Sequence, residues 1–225
     1  MTNVKARSAV LFDLDGTFAD TAPDLAVAMN RVLADQGHAA MTLERLRPFA
    51  SAGARGLLQA SLGLKSGDPE YNALRESFLE YYAERTCVDT RLFPGIAELL
   101  AELRRRAIAW GVVTNKATRF AERIFVALGL EPDCLVCGDS TPHLKPHPAS
   151  LLLAAQKLEL DCRAVWYLGD DLRDMQAARA AGMRPIGVEW GYHHPESGGP
   201  SSWNADAVIR QPMDLIDLLD KQARA

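Results

Sequence analysis

The segment AVLFDLDGTFADTAPD, residues 9–24, closes an apolar run with two carboxylates, Asp13 and Asp15, followed at once by Gly16 and Thr17. On an extended strand, residues two apart share a face, so the two acids project the same way if the strand persists to its end. Neighbouring carboxylates repel, and such a pair exists near neutrality by sharing a proton or by holding a cation. A hard cation needs more oxygen ligands than two side chains supply. The segment YLGDDLRD offers them: Asp170 and Asp171 follow Gly169 at the end of another apolar run, and Asp174 falls in the first turn of a helical pattern. With a cation in place, one carboxylate can act as a nucleophile while its neighbour moves protons.

A net negative site repels a phosphate unless something offsets it. VVTNK supplies the Thr114 hydroxyl and the Asn115 amide, and HLKPHP supplies Lys145 among prolines. Hydroxyl, amide and ammonium together suit the oxygens of a phosphoryl group, whose transfer depends on positioning and charge stabilisation. Taken singly, each has a plainer reading. Thr114 and Asn115 can cap a helix, Asp170 and Asp171 can be an N-cap, Asp174 can be a first-turn acid, and Lys145 can be a solvated charge. Their placement in order, each at the end of a strand-like run, favours one shared site.

The elements that position these groups follow from the periodicity. SAVLFD, AWGVVTN, DCLVCG, AVWYLGD and RPIGVE read as buried strands. Between them, PGIAELLAELRRRA, ATRFAERIFVALG, PASLLLAAQKLEL and DLRDMQAARAAG read as helices, two of them closed by Gly129 and Gly182. Repeated strand and helix units predict an α/β fold, a Rossmann-like doubly wound parallel sheet, with ligands bound beyond the carboxyl ends of the strands.

One stretch breaks this rhythm. From about residue 23 to 88 only helical periodicity is found, in PDLAVAMNRVLADQG, TLERLRPFA, ARGLLQASLG and PEYNALRESFLEYYAERT. That length is long for a single crossover, which predicts a helical cap inserted after the first strand. The expected division is a core of residues 1–20 and 90–225 with a cap of residues 21–89, joined by linkers near residues 16–22 and 88–93. HHPESGGPSSWN reads as a loop, with His193 and His194 as loop residues.

The chain has 225 residues, 48% of them hydrophobic, and a formal net charge of −4. That is enough to bury a full core, and the charge gives no global basic surface for nucleic acid. No apolar run long enough to span a bilayer is present, and the N-terminal residues lack a cleavable leader, so a cytoplasmic protein is expected, monomer or homodimer, with a small-molecule partner. Arg104, Arg105 and Arg106 close a helix, where cations suit the dipole. Cys134 and Cys137 form a lone CxxC in a strand-like run with no second pair to complete a zinc site, so reduced thiols are expected for these and for Cys87 and Cys162.

DLDGT, TN, KPHP and GDDLRD, in this order and at these separations, resemble the four signature motifs of the haloacid dehalogenase superfamily of phosphatases. The likeness spans essentially the whole chain. It implies Asp13 as the nucleophile that becomes an aspartyl phosphate, Asp15 as general acid and base, and Thr114, Asn115 and Lys145 around the phosphate. It also implies Mg2+ held by the Asp13 carboxylate, the Asp15 backbone carbonyl and the Asp170 carboxylate. Asp174 is then a ligand through water or a partner of Lys145, and Asp171, where many relatives carry a small hydroxyl residue, lies behind the ligands or caps a helix. The helical insert resembles the family's small cap.

Within the superfamily the chain resembles the phosphoglycolate phosphatase group, and SAGARGLLQASLG, WGVVTNKATRFAE and WGYHHPE are similar to the N-acetylmuramic acid 6-phosphate phosphatases of peptidoglycan recycling. This implies a small carboxylated phosphate ester as substrate. The loop Ser51–Arg55, with Gly53 and Arg55, then descends over the site, and Arg55 is placed to pair with the substrate carboxylate or else is a solvated helix residue. Lys116 reads either as a charge beside the phosphate or as a surface residue. A sugar phosphomutase shares the motif set. A phospho-receiver domain also combines acids, Thr and Lys on a parallel sheet, but needs about half this length and no cap.

Overall fold

The computed structural model describes residues 8–223. Six strands form one parallel sheet: β1 (Ala9–Phe12), β4 (Ala109–Val113), β5 (Cys134–Val136), β6 (Val165–Gly169), β7 (Arg184–Val188) and β8 (Ala207–Ile209), in the order β5-β4-β1-β6-β7-β8. Two short strands, β2 (Ala19–Asp20) and β3 (Arg91–Leu92), pair antiparallel as a separate ribbon. The helices are α1 (Ala22–Asp35), α2 (Leu43–Leu46), α3 (Gly53–Leu62), α4 (Tyr71–Arg85), α5 (Ile96–Arg105), α6 (Thr118–Leu128), α7 (Ala149–Leu158), α8 (Leu172–Ala180) and α9 (Asp214–Ala223). The α/β, Rossmann-like doubly wound sheet expected from the sequence is the fold observed.

β1 is buried along its whole length, which accounts for its unbroken apolar run. Val10 and Phe12 face a cluster with Leu99, Ile124 and Leu215, and Ala9 and Leu11 face a second cluster with Leu151, Ala154 and Ala178. Alternate residues of one strand thus serve helices on opposite faces of the sheet. β1 lies between β4 and β6, so its carboxyl end sits where successive strands leave in opposite directions, the crevice that open α/β sheets offer to ligands.

Between Ala22 and Arg85 all regular structure is helical, with a 3₁₀ segment at Arg47–Ala52. α1, α3 and α4 bury Leu25, Met29, Leu57, Leu74 and Phe78 in a cluster of their own, to which Phe120 and Tyr192 are added from outside the segment. The β2–β3 ribbon sets the two connecting segments side by side, with Ala19 opposite Leu92 and Asp20 opposite Arg91.

Asp24 fixes this junction. Its carboxylate is fully buried and accepts from the Asp89 amide at 3.0 Å, the Thr90 amide at 2.9 Å and the Thr90 hydroxyl at 2.8 Å. Asp24→Ala strands those three donors and is expected to cost about 2–4 kcal/mol of stability, checked by urea unfolding.

The sequence reading placed no strand at residues 207–209 and no helix at 214–223. β8 is a three-residue edge strand paired on one side only, too short to register as a periodic run. All four cysteines are free, with Cys134 and Cys137 buried. No helix among the described residues is long and apolar enough to cross a membrane.

Candidate active site

β1 stops at Phe12, one residue short of the first acid, although the Asp13 amide still donates to the Leu168 carbonyl at 2.8 Å. The chain then turns tightly: the Phe18 and Ala19 amides both donate to the Leu14 carbonyl, at 3.2 and 2.9 Å. Gly16 sits in this turn with φ of 90°, and a Cβ there would lie 2.2 Å from an Asp170 carboxylate oxygen, so neither the conformation nor the space admits a side chain. Asp13 and Asp15 nevertheless line the same cavity, of about 540 Å³. The turn, rather than a continuing strand, brings them together.

Lys145 stands against Asp13. Its ammonium lies 2.8 Å from Asp13 Oδ1 and donates to Asp174 Oδ1 at 2.7 Å, to the Tyr167 hydroxyl at 2.7 Å and to the Val113 carbonyl at 3.1 Å. Burial alone would favour the neutral amine, but the charges of Asp13 and Asp174 outweigh it and raise the Lys145 pKa. Asn115 grips the lysine backbone from both sides, its Oδ1 accepting from the Lys145 amide at 2.9 Å and its Nδ2 donating to the Lys145 carbonyl at 3.1 Å. The Asn115 side chain thus ties down the backbone of Lys145. Thr114 is buried at the end of β4, where its hydroxyl accepts from the Lys116 amide at 3.1 Å.

Lys116 is not a surface residue. Its ammonium is 2.9 Å from Asp15 Oδ1, with 8% of the side chain exposed, and the Thr21 hydroxyl donates to the same carboxylate oxygen. Each catalytic candidate therefore faces its own lysine: Lys145 on Asp13, Lys116 on Asp15.

Behind them Asp13, Asp170 and Asp174 present carboxylate oxygens within 4.8 Å of one another, all buried. Burial drives the Asp170 carboxyl well above its ordinary pKa, and Asp13 and Asp174 add to the effect. Asp174 is likewise pushed up by burial, with the Lys145 ammonium opposing. Small residues make room for this crowding: a Cβ on Gly169 would lie 2.3 Å from the Asp174 Cβ, and one on Gly191 2.1 Å from the Asp170 Cβ. Asp171 caps α8, accepting the Arg173 amide at 2.9 Å and the Arg173 guanidinium in a two-pronged pair at 2.8 Å. Burial works against ionisation of Asp171, but the bonds from Arg173 prevail and hold its carboxyl below the usual range.

The helical segment reaches into the same cavity. Ser51 Oγ lies 3.2 Å from the Asp15 carbonyl and 2.9 Å from Asp170 Oδ2, and Arg173 donates to the Ser51 carbonyl at 3.2 Å. Gly53 lines the cavity with φ of 57° and ψ of −146°, a glycine conformation that turns the 3₁₀ segment into α3. Arg55 lines it from the first turn of α3, without an ion-pair partner among the described residues. Arg75, Phe78 and Tyr82 of α4 and Arg119 and Phe120 of α6 complete the wall. Sequence reasoning placed Ser51 in the loop over the site, and missed Tyr82, Tyr167 and Arg173 as parts of it. Only Arg173, two residues beyond the Asp171 cap, carried a local signal.

Acids, a threonine and a lysine thus gather at the carboxyl edge of the sheet, in the segments that follow β1, β4, β5 and β6, and residues 10–188 match the family model of the haloacid dehalogenase-like hydrolases. The chain belongs to that family. It is 43% identical over 215 residues to the N-acetylmuramic acid 6-phosphate phosphatase of Pseudomonas aeruginosa, covering 95% of each chain. It is 40% identical over 210 residues to a phosphoglycolate phosphatase of Xanthomonas campestris pv. campestris, covering 92% of this chain and 94% of that one. Among solved structures, a predicted phosphoglycolate phosphatase from Haemophilus somnus 129PT superposes with a TM-score of 0.83 at 27% identity, over 95% of this chain and 98% of that one.

Proposed function

We propose that this chain is a Mg2+-dependent phosphatase that hydrolyses a small carboxylated phosphate ester through an aspartyl phosphate on Asp13. The observation that carries this reading is the pairing of Asp13 with Lys145 and of Asp15 with Lys116 at the floor of one cavity. Asp13 attacks phosphorus; Asp15 gives a proton to the leaving oxygen and then takes one from the water that cleaves the acyl phosphate. Lys145 and Thr114 bind the phosphoryl oxygens, and Asn115 keeps Lys145 in position. The helical segment 21–89 acts as a cap that excludes water during the first step.

The donor set fits Mg2+. Three buried carboxylates converge, Asp170 is pushed toward protonation unless a cation joins it, and the Asp15 carbonyl and Asp170 Oδ2 both lie within hydrogen-bonding range of Ser51 Oγ, so they face a common region. Asp13, Asp170 and the Asp15 carbonyl would hold the ion, which supplies charge neutralisation for the transferring phosphoryl group. EDTA is expected to abolish turnover and Mg2+ to restore it. The melting temperature should rise on adding Mg2+, more at pH 8 than at pH 5, because the ion competes with protons for these carboxylates. Full activity in chelator would remove the metal from the account.

For the substrate, the cavity volume favours N-acetylmuramic acid 6-phosphate over phosphoglycolate. Cavities of about 300–1,000 Å³ take ligands the size of a substituted sugar, and a two-carbon ester would leave most of this one unfilled. The similarity to the Pseudomonas aeruginosa phosphatase supports the same choice. Arg55 is placed to pair with the substrate carboxylate. The test is kcat/KM for both esters and a panel of sugar phosphates, read as free phosphate, with wild type and Arg55→Ala. The amino-sugar ester is expected to be the better substrate by at least about tenfold, and the variant to lose about tenfold on it through KM. Phosphate that stays on the sugar would instead identify a phosphomutase.

A further inference from the structure

Tyr82 lies on α4, and its ring is fixed on several sides. The Phe78 ring stacks on it at 6.3 Å between centroids, the Phe120 ring meets it at 5.0 Å, and the Lys116 ammonium sits 4.8 Å from its centroid. The residue is 1% exposed and lines the cavity, and the polar neighbour of its hydroxyl is the Lys116 ammonium, a donor, so among the described residues the phenol proton has no acceptor at hydrogen-bond distance. A buried O–H without an acceptor is costly, and native structures rarely keep one without a use. Phenylalanine would fill the same space between Phe78 and Phe120 without that cost.

The Lys116 ammonium that touches this ring is the one paired with Asp15 at 2.9 Å. Tyr82 is therefore one residue removed from the acid that serves the leaving oxygen, and it lines the cavity into which the substrate's carbon skeleton would extend. Burial pushes its phenol up to about 12, so the group remains a neutral donor across the working pH range.

We infer that the Tyr82 hydroxyl is a specificity-determining contact, donating a hydrogen bond to an oxygen on the sugar part of the substrate and thereby favouring a substituted sugar phosphate over a two-carbon ester. This rests on the phosphatase reading above and deepens it, because a two-carbon ester has no skeleton oxygen beyond its carboxylate to offer. The contact forms no covalent bond. It spends stability of the free protein on recognition.

The test is Tyr82→Phe, which keeps the ring and removes the oxygen. Binding of N-acetylmuramic acid 6-phosphate is measured by calorimetry in Mg2+ on chains carrying Asp13→Asn to prevent turnover, with and without Tyr82→Phe. Kd is expected to rise about tenfold, while the melting temperature of Tyr82→Phe alone holds or rises by about 1–3 °C, as it should when a buried donor without an acceptor is removed. In the otherwise wild-type enzyme, kcat/KM for the amino-sugar ester should fall about tenfold, mainly through KM, with less than about twofold change for phosphoglycolate. An unchanged Kd, no measurable binding, an equal loss on both esters, or a fall in melting temperature would overturn the inference. Failure of the phosphatase reading has a separate signature: no free phosphate released by the wild type, whatever Tyr82→Phe does to binding.

Discussion

Asp13→Asn is expected to lower kcat by at least about 10⁴-fold, equivalent to about 5.5 kcal/mol of lost transition-state stabilisation, while leaving the chain folded. Asparagine has nearly the shape of aspartate but no anionic oxygen with which to attack phosphorus. Asp13 also crowds Asp170 and Asp174, so neutralising it relieves repulsion that offsets its lost pair with Lys145, which keeps Asp174 as a partner, and in EDTA the variant should melt no lower than the wild type. Loss of turnover without loss of stability marks a residue that serves the chemistry rather than the fold, checked by phosphate release and by circular dichroism on the same preparation. Wild-type turnover in the variant would end that assignment.

Lys145→Met is expected to cost both activity and stability. Methionine spans a similar length without the charge. Removing a preorganised cation from a phosphoryl site costs about 10²–10³-fold in kcat. Breaking a buried ion pair also leaves Asp13 and Asp174 uncompensated, for about 3–5 kcal/mol of stability in the absence of Mg2+. The pH dependence follows from the direction of the shifts. Without the ammonium, Asp174 and Asp170 are carboxyls with raised folded-state pKa values, whose contribution is fully present below the unfolded value near 3.9 and is lost as pH rises through the folded one. The deficit of the variant relative to wild type should therefore be small near pH 4 and largest above pH 7, with Mg2+ recovering part of it. A deficit that does not change with pH would show that Lys145 serves packing rather than charge.

The strands that carry the chemistry were readable because a buried parallel strand is an unbroken apolar run, and each of β1, β4 and β6 ends against a polar group with work to do. Asp171 and Asp174 were readable to within two alternatives each, and the capping box on α8 and the Lys145 contact supply the local contacts. What escaped was of two kinds. α9 carries an apolar pattern at Leu215, Ile216, Leu218 and Leu219, whereas β8 offers only three residues at a sheet edge. Lys116 on Asp15, Ser51 near Asp170 and Tyr82 over Lys116 join residues far apart in sequence, through the docking of one helical segment on the sheet. No spacing rule encodes such contacts. The grip of the Asn115 side chain on the Lys145 backbone is a further contact of this kind.

The central claim is that phosphate passes through Asp13, and the most direct measurement is to trap it there. The enzyme is mixed with the amino-sugar phosphate and Mg2+, quenched in acid within the first turnover, digested, and its peptides analysed by mass spectrometry. The account predicts one added phosphoryl group, labile to hydroxylamine as an acyl phosphate is, on the peptide containing Asp13, and none in Asp13→Asn. Steady turnover with no phosphorylated peptide, or with the phosphoryl group on any other residue, would contradict it.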